Sequence, residues 1–421
     1  MRAGRALAAA GTALVLGALG GHLSRRIRRA QLSRRMLRLG DAVPLDVLLE
    51  REVGVPVREG NGLDLVDNGA VFDALEEEIG RARETIHISA FLWMGEGDPS
   101  DRIGRALLAR RRGVACRILI DWFGSLRFDR ALERRLRASG VELRRHTPFP
   151  DPFRVNHRRI FVFDGRRAFV GGFGIWRSWL GDGVADGAPD ARRDWRDTAA
   201  LVRGPIVGDL QRAFDHSWQN EGGEPLPAIS YPRLRADGDI RAAVVASSPA
   251  WARTTSAARM YYALIASARR RLYIANSYFV PDRSLQDLLA AQARAAVDVR
   301  VLAPGRHHDV AIVHAGQRRT YARLLSGGVR IWEYGVSMMH AKTLVVDDVA
   351  VIGSANMDSQ SLSFLWEASV VALDPALAAR LADRFFVDLE RSDEIHPAAW
   401  ARRPLLQKAG QRAAWLAEAW L

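Results

Sequence analysis

Between Asn61 and Trp218 the chain alternates amphipathic, helix-like stretches with short and almost wholly apolar runs: TIHISAFLW, CRILID, RIFVFD and AFVGG. Brief apolar runs bounded by polar or glycine residues read as buried strands, and strands alternating with helices predict a layered α/β domain. After a Gly/Pro-rich stretch, EGGEPLPAISYP, the same order returns as RLYIANSYFV, VRVLAP, TLVVDD and AVIGS. The chain thus repeats itself with a period of about 170 residues. So long a period means a duplicated domain rather than a solenoid, and two similar domains are expected to face each other across a pseudo-two-fold axis with the functional site between them. The pattern divides into a first domain over 59–222, a linker over 223–235 and a second domain over 236–395.

The two copies match in detail. ARRRGVACRILID in the first stands where AQARAAVDVRVLA stands in the second, a helix feeding a buried strand in each. Each then places a histidine at the head of the next strand: NHRRIFVFDGRRAFVGG around His157, MHAKTLVVDDVAVIGSAN around His340. Both follow one pattern, His-x-basic-x-x-x-x-Asp, then a strand and a turn of small residues. A histidine and a cation two apart on a strand project to the same face. His157 with Arg159, and His340 with Lys342, therefore each offer an imidazole and a phosphate clamp, and Asp164 and Asp347, which end the strands, are expected to complete the catalytic set. A lone histidine in a strand is an ordinary packing or surface residue. Two in the same pattern, at matching places of a repeat, point to catalysis.

Joined across the pseudo-dyad, two imidazoles and two cations around one phosphorus suffice for phosphodiester transfer without a metal or cofactor. One imidazole attacks, the other protonates the leaving alkoxide and later deprotonates the incoming alcohol, and the cations stabilise the phosphoryl oxygens. Ser354 and Asn356, just after the next strand, are expected to donate hydrogen bonds to those oxygens. Asp197 and Glu367, later in each copy, are expected with Ser354 and Asn356 among the substrate-binding residues, and each can orient one imidazole.

Composition narrows the partner. A formal charge of +13 calls for a polyanion, either nucleic acid or an anionic lipid surface. Of the 61 basic residues only Lys342 and Lys408 are lysine, so the motif retains an ammonium that the rest of the chain has exchanged for arginine. Cys116, the single cysteine, lies in an apolar strand run and is expected to be buried. From Ala6 to Ser24 no residue is charged, close to the shortest membrane-crossing length of roughly 17 residues. Residues 1–24 are therefore expected to form an N-terminal anchor helix. A cleaved signal peptide and a peripheral anchor are the competing readings, but no clean A-x-A site followed by a polar mature start appears, since RRIRRAQLSRR follows at once. The seven arginines from Arg25 to Arg38 make 25–58 a basic juxtamembrane segment on the cytoplasmic side, lying on lipid headgroups. The tail, 396–421, ends in LLQKAGQRAAWLAEAWL, an amphipathic helix that fits either the headgroup layer or the edge of the core. His307 and His308 before Asp309 lack a convincing third metal ligand and read as a surface loop.

These residues resemble the phospholipase D superfamily, marked by two His-x-Lys-x-x-x-x-Asp motifs, and within it the bacterial cardiolipin synthases. The likeness runs from Asn61 to about Arg391 and extends to ILIDWFGS, FVGGFGI, WRDT, RGPIV, YIANSYFVPD, SGGVRIWEY and SLSFLWEA. It implies an α/β fold of two similar domains, each a mixed sheet flanked by helices. It also implies an enzyme that joins two phosphatidylglycerols, or one with another phospholipid, through a phosphohistidine and releases a small alcohol; with the apolar terminus and its arginines, that enzyme is expected to be membrane-anchored and to face the cytoplasm. A hydrolase of phospholipid or nucleic acid on the same scaffold, or a lipid-binding protein with a decayed first half-site, are the other readings. The hydrophobic terminus favours lipid, so no nucleic acid partner is expected. Three positions depart from the family pattern: Arg159 for lysine, Gly174 for asparagine, and Leu365 where many members have asparagine.

Overall fold

A computed structural model of the chain describes residues 21, 23–95, 97–110, 112–147, 154–183, 194–250 and 253–404. The first copy contributes β1 (Arg58–Asp67), β2 (Thr85–Ala90), β3 (Ala115–Asp121), β4 (Glu142–His146), β5 (Val155–Asn156), β6 (Ile160–Phe163), β7 (Arg167–Gly171) and β8 (Thr198–Arg203). The second contributes β9 (Ile240–Ser247), β10 (Arg271–Asn276), β11 (Asp298–Pro304), β12 (Arg330–Tyr334), β13 (Lys342–Val346), β14 (Val349–Gly353), β15 (Leu365–Leu373) and β16 (Ser392–Glu394).

Their order is β16-β12-β11-β10-β13-β14-β15-β9-β1-β8-β7-β6-β2-β3-β4, with β5 pairing β15 from off that path. Outward from the antiparallel β1/β9 pair, the run β8, β7, β6, β2, β3, β4 mirrors β15, β14, β13, β10, β11, β12. The repeat seen in sequence is thus a repeat of topology, but the two copies share one continuous sheet instead of holding separate ones. An antiparallel pair can lie on a two-fold axis, and β1/β9 occupies that place.

Burial explains why the same strand types recur. In both β3 and β11 the first positions alternate and the last four are all buried, as in parallel strands covered on both faces. One core lies between the copies, where Val162, Val170 and Ala200 meet Val345, Ile352 and Val370. A second core fills the outer side of the first copy, and a third that of the second copy. Cys116 is buried in the first copy's outer core, as its surroundings predicted.

The predicted anchor, 1–24, falls almost wholly outside the described residues, and among the described residues no helix is long and apolar enough to cross a membrane. The basic segment needs correcting. Residues 23–40 form a helix docked on the second copy, with Met36 fully buried in its core. Arg29 is not presented to headgroups: buried, it donates to Asp282 Oδ2 and to Ser363 Oγ, both at 2.7 Å. Of the tail, 405–421 lie outside the described residues, while Pro397–Arg402 form a short helix whose Trp400 packs on Tyr321.

Candidate active site

Strand register builds the site. Asn156, one residue before His157, pairs with Trp366, one residue before Glu367. Met339, one residue before His340, bridges to Arg196, one residue before Asp197. Each copy therefore carries its histidine to the carboxylate of the other copy. His157 Nδ1 lies 2.9 Å from Glu367 Oε1, and His340 Nδ1 lies 2.9 Å from Asp197 Oδ2. A carboxylate only accepts, so each Nδ1 carries the proton and each Nε2 is left with its lone pair free for chemistry.

The cations repeat the same symmetry. Lys342 Nζ is 2.6 Å from the His340 carbonyl oxygen and 2.8 and 3.0 Å from its ring nitrogens. Arg159 Nη1 lies 3.0 Å from each of the three corresponding atoms of His157. All four side chains are buried. Burial, reinforced by the neighbouring cations, pushes His157 down to about 4 and His340 well below the usual imidazole range. In the free protein both are therefore held toward the neutral form. Burial likewise lowers Lys342 to about 7 and raises Asp197. Arg159 keeps its charge at any working pH, so its substitution for lysine retains a permanent cation in the first half-site.

Several expected residues lie elsewhere. Asp164 and Asp347 sit at the far ends of β6 and β13, in left-handed turns with φ of 52° and 50°. Asp164 accepts from the backbone N–H groups of Arg83, Glu84 and Thr85, and Asp347 from those of Arg269, Arg270 and Arg271. They are structural turn residues, because a short carboxylate tolerates the left-handed region and can collect successive N–H donors. Asp347→Ala is expected to lower stability by about 2–3 kcal/mol without lowering kcat, as chemical denaturation and lipid turnover will report.

Ser354 is also reassigned. Its hydroxyl donates to Glu367 Oε2 and its oxygen accepts from Ala368 N, so its one proton is committed to holding the His157 carboxylate. Asn356 Oδ1 accepts from Ser277 Oγ at 2.7 Å. Leu365 lies in the β15/β5 pair and contributes no polar group.

The first copy solves the same problem differently. Gly172 stands where Ser354 stands in the second copy; a Cβ there would come within 2.7 Å of Asp197 Oδ1 and 3.0 Å of Lys342 Cδ. No serine fits, and the donor comes instead from Trp179, whose indole Nε1 lies 2.9 Å from Asp197 Oδ2. Gly174 leaves room for Trp179 and Leu92, each 3.1 Å from its would-be Cβ. The hydrogen-bond donor that Gly172 omits is therefore replaced by Trp179. Trp179 meets His340 edge-on and Trp195 stacks on it, both at 4.9 Å between centroids.

Arg158 is a further functional residue that sequence reasoning missed. Fully buried, it donates to Ala213 O and Ser217 Oγ of its own copy and to Ser247 O and Glu367 O of the other. It fastens the two copies directly behind His157. His307, His308 and Asp309 follow β11, where Asp309 accepts from Tyr278 Oη at 2.8 Å; no cluster of metal-ligating side chains occurs among the described residues.

A family model described as "Cardiolipin synthase, PLD-like domain" matches residues 75–182 and 261–388, one stretch in each copy. The chain belongs to this phospholipase D family. Its cardiolipin synthase-like character is borne out by curated relatives. The cardiolipin synthase of Geobacillus kaustophilus is 32% identical over 83% of this chain and 70% of its own length. That of Alkalihalophilus pseudofirmus is 30% identical over 82% and 69% respectively. Cardiolipin synthase A of Pseudomonas putida is 32% identical over 83% of this chain and 73% of that one. Among solved structures, the phosphatidylserine synthase of Haemophilus influenzae shares the fold, with a TM-score of 0.64 at 15% identity, covering 90% of this chain and 100% of that one. In this phospholipase D-type phosphatidyltransferase the two motif histidines and their cations come together, whereas the two motif aspartates do not join them.

Proposed function

We propose that the protein makes cardiolipin by joining two phosphatidylglycerols, and that the reciprocal pairing of each histidine with the carboxylate of the other copy carries the chemistry. The Nε2 of one neutral imidazole attacks phosphorus, and the P–O bond to the headgroup glycerol breaks. With the anionic phosphodiester in the cleft the second histidine carries a proton at Nε2 as well as Nδ1, its positive charge held by the carboxylate; the Nε2 proton passes to the departing alkoxide and leaves that ring neutral. A phosphatidyl-histidine remains. The headgroup hydroxyl of the second phosphatidylglycerol then gives its proton back to the second histidine and attacks phosphorus, freeing the first. Arg159 and Lys342 stabilise the phosphoryl oxygens in both steps. The likeness to cardiolipin synthases and the apolar amino-terminal sequence support an alcohol acceptor and a lipid substrate at the bacterial cytoplasmic membrane.

The deciding experiment supplies the detergent-purified protein with phosphatidylglycerol alone and analyses the lipids. Cardiolipin with an equivalent of glycerol is the expected result. Phosphatidic acid would make the protein a hydrolase, and unchanged lipid would make it a binding protein with relic histidines.

The pH dependence follows from Lys342. A lysine lowered to about 7 is charged below that pH and neutral above it. Because the phosphodiester is anionic throughout, kcat/KM is expected to fall as pH rises through about 7. On the acid side it should hold until the attacking imidazole takes up a proton, near 4 where that imidazole is His157's. A profile that keeps climbing beyond pH 8 would overturn this assignment of the cation.

A further inference from the structure

One face of the molecule gathers most of the large apolar side chains exposed among the described residues. β2 runs parallel to β3, and β10 to β11, and these strands end beside the histidines. Asn276 at the end of β10 pairs with Lys342, and Asp121 at the end of β3 accepts from Asn156 N at 2.8 Å. The segments leaving β3 and β11 therefore flank the site from opposite sides of the pseudo-dyad. Both hold large apolar groups in water: Phe123 and Leu126 are 57% and 67% exposed, and Val310 and Ile312 are 36% and 48% exposed. Sequence in these two segments is unrelated, yet the exposure recurs.

A third pair lies at the start of the helix 23–40. Leu23 and Ile27, one turn apart, are 57% and 50% exposed. That helix is fixed to the same face, because Arg25 stacks 4.9 Å from the Phe364 ring and Arg29 holds Ser363, just ahead of the β15/β5 pair. Six of the nine large apolar side chains exposed among the described residues thus surround the entrance to one site, a concentration that scattered surface hydrophobics do not produce. Exposed Arg26, Arg127 and Arg306 lie beside the three pairs, and in the sequence Leu23 belongs to the uncharged stretch Ala6–Ser24. Apolar groups interleaved with arginine are the composition of a surface that sits in the boundary between headgroups and acyl chains.

We propose that this face docks on an anionic bilayer, the three apolar pairs entering the acyl boundary and the arginines meeting headgroup phosphates, so that the cleft opens directly onto its substrate. The proposal rests on the phosphatidyltransferase reading for its choice of lipid as partner. The test places an environment-sensitive fluorophore on the full chain at Leu126→Cys; Cys116 is buried and its thiol is pushed up to about 12, so labelling is selective. Vesicles of phosphatidylglycerol should shift that emission to the blue, with a much smaller shift from pure phosphatidylcholine. A label at Asp348→Cys, in the turn at the far end of β13, should not respond. No shift at Leu126, or equal shifts at both positions, overturns the proposal. In parallel, Phe123→Ser with Leu126→Ser should raise the apparent KM for vesicular phosphatidylglycerol at least fivefold while leaving turnover of a short-chain, monomeric phosphatidylglycerol unchanged; equal loss on both substrates overturns it. Cardiolipin formed without any fluorescence shift would sink the docking and spare the enzyme, whereas a shift without product from any lipid would do the reverse.

Discussion

The His340→Ala protein is expected to form no detectable cardiolipin, a loss on the order of 10⁴-fold or more, because attack on phosphorus and protonation of the leaving group each rest on one imidazole. Its fold should survive. Asp197 keeps two of its donors, Trp179 Nε1 and Thr198 N, after the imidazole is removed, and a melting curve will verify that the loss is chemical. His157→Ala should be equally inactive, since attack and protonation need one imidazole each. Quenching both variants in denaturant after exposure to headgroup-distal labelled phosphatidylglycerol identifies the attacker, because only the protein that retains it can keep the label. Full activity in either variant would remove the catalytic reading altogether.

Asp197→Asn is expected to lower kcat by roughly 10²- to 10⁴-fold while leaving KM little changed, by the tautomer and charge argument that applies to buried His–carboxylate pairs. Both oxygens of Asp197 already accept from N–H donors: Oδ2 from Trp179 and His340, Oδ1 from Thr198. An amide must turn its NH2 toward one of these donors, and it offers no charge to balance an imidazolium at His340. The substitution lies in the first copy and its effect in the second. Combining it with His340→Ala gives a sharp check, since Asp197→Asn should add nothing once its histidine is gone. Additive losses would mean that the carboxylate acts on something other than His340.

Much of this arrangement was legible in the sequence because it was written twice. The duplicated strand pattern announced two α/β copies, and the two histidines, Arg159 and Lys342 declared themselves by a shared spacing. Position along a strand also puts Asp164 and Asp347 at the ends away from the site, but the motif pattern treats all its members alike and so groups the aspartates with the chemistry. Their turns, which need a left-handed residue able to gather N–H groups, explain them better. The continuity of the sheet through β1 and β9 left no sequence trace, because backbone pairing between copies carries no residue signature. Trp179 was visible as one aromatic among many, and only a buried indole N–H in want of an acceptor would have singled it out. Arg158 was hidden for a different reason. In a chain that uses arginine nearly everywhere, a fully buried one looks like all the others.

The reciprocal register also constrains how such a chain can change over generations. A duplicated domain ordinarily leaves each copy free to drift, with the second as insurance. Here neither copy contains a working histidine–carboxylate unit, for Glu367 serves His157 and Asp197 serves His340. The loss of the serine position at Gly172 in one copy was met by a tryptophan in that copy, yet what it preserved was the histidine of the other. The two halves are thus bound to a common history: a change tolerated in one is judged at the active group of its twin, and decay of either would silence both.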